Sequence, residues 1–379
     1  MVTIFSGSCK QRCPNFAGLM SDRRGRVVLI ICTLVFVIAC GSERSVVHSL
    51  PDLGSTPYTL EIPAWALDSV HTVYVPSDNK LTVQGIALGR RLFYEKALSR
   101  NGTLACSSCH IQEHAFSDPR RFSMGIEGDL GHRNSMALMN LAWGHFFFWD
   151  ARAMSLELQA LEPVNDHREM FNAWPEVLQR LRDLPGYANM FDAAFGTMEI
   201  DSLHVSFALA QFERTLISFD SPFDRFQYDC DSTALTPAEL RGKELFFGGA
   251  HCVDCHEPPL FADHDMINIG LDSMPIDKGL GERTGLYRHL GLFKTPTLRN
   301  IAASAPYMHD GRFATLEEVV DFYADDVHLN TPNFHDHMFA WKLGVVKLDG
   351  QERKDLVTFL HALTDSTFLH DPRFSDPRQ

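Results

Sequence analysis

The 379-residue chain is 45% hydrophobic and 22% charged, which gives apolar material for two ordinary domains and excludes a disordered class. Its formal net charge is −14, and removing residues 1–39 takes away five basic residues and one acid, leaving about −18. So acidic a chain disfavours nucleic-acid binding and suits a basic protein partner.

At the N-terminus, Arg23-Arg24-Gly25-Arg26 precedes an apolar run, Val27 to Ala39, that is too short to span a bilayer comfortably. This is the shape of a signal peptide over 1–39, and counting from Met20 gives it an ordinary length. The run ends Val37-Ile38-Ala39-Cys40-Gly41, which resembles a bacterial lipobox and implies that Cys40 is lipidated as the first mature residue. The polar, Ser- and Pro-containing stretch that follows, 40–80, reads as a tether. Membrane attachment is then by lipid alone.

The first folded unit, 81–229, opens with Gly85-Ile86-Ala87-Leu88-Gly89-Arg90-Arg91-Leu92-Phe93, apolar at helical spacing, and a turn leads into Cys106-Ser107-Ser108-Cys109-His110. Apolar spacing of three or four predicts further helices over 175–184 and 203–219. The second unit, 230–379, repeats the opening. Thr236, Pro237 and Glu239 form a helix start with a capping box, the run 240–249 follows, and Cys252-Val253-Asp254-Cys255-His256 comes about 146 residues after the first such motif. Helices are predicted over 315–323, capped by Thr315 and Glu318, and over 351–363, while alternating strands are scarce.

Two Cys-x-x-Cys-His motifs carry a specific chemistry. The two thiols of each motif add to the vinyl groups of one haem, and the adjacent His presents its imidazole to the iron. The chain is therefore expected to hold two covalent c-type haems, on Cys106, Cys109 and His110 and on Cys252, Cys255 and His256, within two small helical domains. A zinc or redox Cys-x-x-Cys explains neither the His in both copies nor the export signal. Of nine cysteines, three fall in the leader, Cys40 takes lipid and four take haem, which leaves Cys230 without a partner in the chain, as a free thiol or an intermolecular contact.

From about Gly85 to Asp365 the chain resembles the bacterial dihaem cytochrome c peroxidase family, which includes the MauG group. The matching words are Leu98-Ser99-x-Asn101-Gly102, Arg133-Asn134-Ser135, Phe148-Trp149-Asp150-x-Arg152-Ala153 and Ser155-Leu156-Glu157-x-Gln159. They continue with Thr295-Pro296-Thr297-Leu298-Arg299-Asn300 and Ala305-Pro306-Tyr307-Met308-His309-Asp310-Gly311-Arg312. The resemblance implies a mainly α fold of two cytochrome-c-like haem domains packed against each other, with a calcium ion between them. It makes Trp149 the electron bridge between haems, Glu169 the catalytic carboxylate and Gln159 its neighbour in a peroxide pocket. It also assigns calcium to the Asn134 side chain and to backbone oxygens near Ser304 and Pro306, hard donors suited to that ion. Without the family, Glu169 reads as a surface helix acid and Trp149 as a core residue beside Phe146, Phe147 and Phe148.

Two positions depart from the conventional pattern. Where such enzymes place a distal His, sixteen residues after the proximal one, this chain has Ile126, which cannot ligate iron. His114 and His132 lie nearby but off register, so the first haem is expected to be five-coordinate and open. Where the second haem takes a Met, fourteen residues after His309, stands Tyr323, as in the MauG group. Met308, Met338 and the cluster His328, His335 and His337 are the alternative ligands, and a core tyrosine is the structural one.

The resemblance implies a peroxidase in the periplasm, lipid-anchored, that reduces hydrogen peroxide with electrons from a small cytochrome c or a cupredoxin. It leaves a homodimer open. The MauG-like departures point instead to oxidation of a partner protein or small substrate. A membrane-tethered electron-transfer cytochrome without catalysis is the reading from another class.

Overall fold

Thr82 starts the first long helix by accepting the Gly85 N–H on its hydroxyl, and α1 (Val83–Phe93) then runs with Leu88, Leu92 and Phe93 buried along one face. The computed structural model describes residues 55–67, 72–263 and 265–378, all within one compact unit, Leu53–Gln379. The signal peptide, Cys40 and the first part of the tether lie outside the described residues.

The first half continues with α2 (Leu156–Gln159), α3 (Glu162–Asn165), α4 (Trp174–Asp183), α5 (Tyr187–Phe195) and α6 (Ser202–Arg214). The second contains α7 (Pro222–Gln227), α8 (Pro237–Phe247), α9 (Leu280–Thr284), α10 (Leu316–Asp321), α11 (Phe339–Lys342), α12 (Gly350–His361) and α13 (Ser366–His370). The described residues hold one small sheet, in which β1 (Met266–Ile267) pairs antiparallel with β2 (Phe293–Lys294). The capping boxes expected at Thr236 and Glu239 and at Thr315 and Glu318 are formed.

Each half is built on one helix crossing that only glycine permits. A Cβ on Gly89 of α1 would lie 1.8 Å from the Ala208 carbonyl oxygen of α6, and one on Gly242 of α8 would lie 2.0 Å from that of Asp355 on α12. The next neighbours are Phe212 and Phe359, so the two crossings share a register. Around the first lies a core of Leu88, Leu92, Phe93, Phe116, Phe191 and Phe212; around the second, Phe223, Phe246, Phe261 and Phe359. Buried ion pairs brace both: Arg214 with Glu157 at 2.7 Å and Arg299 with Asp224 at 2.8 Å.

Two differences from the sequence reading have physical causes. The helix expected over 203–219 stops at Arg214, although apolar spacing continues, because Asn140 takes the backbone beyond it. The Asn140 N–H donates to Leu216 O at 2.8 Å, and its side chain accepts from the Ser218 N–H and donates to Ser218 O. The stretch read as tether is packed from residue 55: Leu60, Ile62, Trp65 and Val73 cover Trp143 and Phe219, and Trp65 stacks on Tyr228 at 3.8 Å. Its apolar residues follow a surface rather than a period, so periodicity misses them.

Cys230 is disulfide-bonded, not unpaired. The boundary near 230 also does not divide the packing cleanly, since Phe368, Leu369 and Phe374 return to the first core.

Gly89→Ala and Gly242→Ala are each expected to cost about 3 kcal/mol or more through overpacking against backbone. Gly249→Ala, whose Cβ meets nothing within 4 Å, is expected to stay within about 0.5 kcal/mol. Thermal melts of the three haem-loaded variants measure this.

Candidate haem centres and the wall between them

Both Cys-x-x-Cys-His motifs fold into the same short turn. The 3-10 turns Cys106–Ser108 and Cys252–Asp254 bring the N–H of His110 and of His256 back to the carbonyl of the first cysteine, at 3.0 Å in each. His110 Nδ1 lies 2.8 Å from Phe116 O and His256 Nδ1 lies 3.0 Å from Phe261 O. A carbonyl only accepts, so Nδ1 carries the proton and Nε2 keeps its lone pair for a metal. Burial lowers the pKa of both imidazoles, which favours the neutral, ligating form. Burial pushes Cys252 and Cys255 up to about 12 and raises Cys106 and Cys109.

Two thiols and an imidazole face a largely apolar cavity in each half, a donor set that fits covalent haem. Cys255, Asp263 and His337 also converge closely enough to hold a cation. That group loses its thiol once Cys255 carries a thioether.

The cavity of the first half is lined by Cys106, Cys109 and His110 together with Gln159 on α2, Glu169 in the loop after α3, and Glu213 on α6. Glu169 is half-buried with its remaining exposure toward the cavity, and burial, reinforced by Asp166, pushes its carboxyl up to about 7 against the pull of Arg152 and Arg168. Ile126 lies outside the lining; its N–H donates to Glu169 O at 3.1 Å. Gly125 makes this approach possible, since a Cβ there would sit 2.4 Å from Arg168 O. His114 is also outside the lining, while His132 is exposed at its edge. Arg168 Nη1, always a donor, lies 2.8 Å from His132 Nδ1, so the neutral His132 carries its proton on Nε2 and has no lone pair there for iron.

The second cavity is lined by Cys252, Cys255 and His256 and, among others, by Tyr323, Met308 and Met338. His328, His335 and His337 are not in its lining. Tyr323 sits in a π turn, Phe322–Asp326, that widens the end of α10 where the sequence predicts plain helix. Its phenol faces the cavity without a hydrogen bond from any described residue, and burial raises its pKa, as do Cys255 and Cys252. Asn134, Ser304 and Pro306, the expected calcium positions, line this cavity too.

Between the cavities stands a shared wall that includes Asn134, Ser135, Met136, Trp149 and Lys294. Trp149 Nε1 donates to Asn134 O at 2.8 Å, the Lys294 N–H to Trp149 O at 2.9 Å, and the Asn134 N–H to His309 O at 2.7 Å. Arg133 locks the wall, bonding Asp150 at 2.6 Å and Asp277 at 2.7 Å. The structure thus brings Gln159 and Glu169 to one cavity, Tyr323 to the other and Trp149 to the wall of both.

Sequence reasoning missed Glu213 and Lys294. Glu213 is 5% exposed, its Oε2 has no partner, and burial pushes it up to about 8. The shared crossing register makes it the counterpart of Leu360, which lines the second cavity. Aligning the two repeats at Phe212 and Phe359 exposes this substitution of acid for leucine.

A profile of the di-haem cytochrome c peroxidase family matches residues 83–232, and the cytochrome c profile matches 240–364. The methylamine utilization protein MauG of Methylorubrum extorquens is 37% identical over 290 residues, 76% of this chain and 80% of that protein. The cytochrome-c peroxidase IdrP1 of Pseudomonas sp. strain SCT is 34% identical over 333 residues, 79% of this chain and 86% of that protein. A crystal structure of a MauG-like protein associated with microbial copper homeostasis superposes with a TM-score of 0.76 at 34% identity, covering 85% of this chain and 100% of that one. The fold is the expected one, mainly α with two cytochrome c domains.

Folded Glu169 and Glu213 keep protons that the unfolded chain releases above about 4.5, so stability falls as pH rises from there to about 7 and about 8 respectively. Glu213→Leu removes its share of this loss. It is expected to stabilise the protein by about 2 kcal/mol at pH 8 and by less at pH 5, read by denaturant unfolding at both.

Proposed function

The chain belongs to the di-haem cytochrome c peroxidase family, which includes MauG, and on that premise we propose that it reduces hydrogen peroxide at the His110 cavity with electrons from a periplasmic cytochrome c or cupredoxin. The observation that carries this reading is the placement of Glu169, raised to about 7, and Gln159 on the same cavity as His110, where His132, the other histidine lining it among the described residues, has its Nδ1 engaged by Arg168. Haem held by Cys106, Cys109 and His110 and by Cys252, Cys255 and His256 would supply iron able to react with peroxide and to store oxidising equivalents.

Reduction of peroxide to two waters consumes two electrons and two protons. A carboxyl near 7 both accepts and returns a proton at neutral pH, so Glu169 moves a proton between the peroxide oxygens while the Gln159 amide orients them. Trp149, standing in the wall of both cavities, relays electrons between the halves. Cys40 anchors the exported chain by lipid, and a calcium ion is held by Asn134 with backbone oxygens at Ser304 and Pro306.

A second reading, oxidation of a partner protein or small substrate, is favoured by Tyr323. Its phenol faces the cavity of His256, where a Lewis-acidic iron would ionise a group that burial otherwise keeps neutral. The two readings share the peroxide site and differ in where the electrons come from.

Glu169→Gln is expected to slow the reaction with peroxide by about 10²- to 10⁴-fold at unchanged haem content, measured by stopped-flow absorbance. An unaltered rate removes Glu169 as the proton carrier. Tyr323→Phe is expected to change the optical spectrum of the His256 haem and leave that of the His110 haem alone. An unchanged spectrum rejects the tyrosine ligand.

A further inference from the structure

Lys294 is a cation that meets no counter-charge among the described residues. It lies on β2, fixed by its N–H bond to Trp149 O at 2.9 Å and by pairing with Met266. The half-buried side chain faces both cavities, and no hydrogen bond or ion pair from any described residue reaches its ammonium. Burial alone lowers it to about 8. An unpaired ammonium inside a protein is costly and persists where a ligand supplies the anion.

The two cavities differ in what else they offer. Arg133, Arg152 and Arg168 line the first, whereas among the described residues Lys294 is the one lysine or arginine lining the second. The single carboxylate on that lining, Asp272, is already bonded to Arg312 at 2.9 Å. A haem c keeps two propionate carboxylates after its vinyl groups are consumed. Entering the second cavity, it meets Lys294 as the cationic side chain of the described lining.

We infer that the Lys294 ammonium pairs with a propionate carboxylate of the haem held by Cys252, Cys255 and His256, and so fixes a positive charge in the wall beside Trp149. The inference rests on the reading that both motifs carry haem. A cation at this place stabilises the reduced, less positive iron and raises its midpoint potential.

Haem content of the purified protein is measured first, because fewer than two haems per chain defeats the underlying reading and leaves the lysine aside. Spectroelectrochemical titration of the dihaem protein then compares Lys294→Met with Lys294→Arg. The expected result is a lower midpoint potential for the His256 haem in the Met variant and a value close to the parent in the Arg variant. Unchanged potentials in the Met variant overturn the pairing, as does a shift confined to the His110 haem or an equal shift in both variants. If the Met variant fails to retain its second haem, retention by Lys294→Arg supports the pairing, and loss in both variants overturns it.

Discussion

The short hydrogen bonds of the wall between the cavities are the constraint on which the rest of the molecule depends. Main-chain groups of Asn134, Trp149, Lys294 and His309, with the indole N–H, bring one segment before α2, one strand of the small sheet and one loop before α10 to a single place. Arg133, bonded to Asp150 on one side and Asp277 on the other, holds these segments together with side-chain charge. Because the bonds are mostly backbone, the indole and the ammonium are presented rigidly, and both cavities inherit their geometry from the same few residues.

Duplication explains the two cavities, and departures from duplication explain their inequality. The glycine crossings place α1 on α6 and α8 on α12 in one register, so the motif turns and the proximal imidazoles come out alike. Against that common frame, the first cavity carries Glu169, Glu213 and three arginines, and the second carries Tyr323 and a more apolar lining. A polar cavity that holds carboxyls near neutral pKa is suited to proton transfer; an apolar one with a buried phenol is suited to holding charge on iron.

The parts legible in the sequence are those set by neighbours along the chain. The motif turns and the capping boxes of α8 and α10 need only a few adjacent residues, and they form as read. The expectation that Gln159 and Glu169 share the His110 cavity came from family resemblance, since nothing local distinguishes Glu169 from a surface acid. What stayed hidden depends on partners far along the chain. Asn140 ends α6 across 78 residues, and Lys294 is exceptional only because no acid among the described residues meets it in three dimensions. The packed stretch from residue 55 follows the same rule, its apolar residues covering Trp143 and Phe219.

The central claim is that the two haem sites are unequal: one open at the His110 cavity, one closed by a protein ligand at the His256 cavity. Electron paramagnetic resonance of the fully oxidised protein, as isolated and before any reduction, tests it most directly. The account predicts one high-spin ferric signal from the His110 haem beside one low-spin signal from the His256 haem. Two low-spin signals with no high-spin component would contradict it and leave an electron-transfer cytochrome in its place.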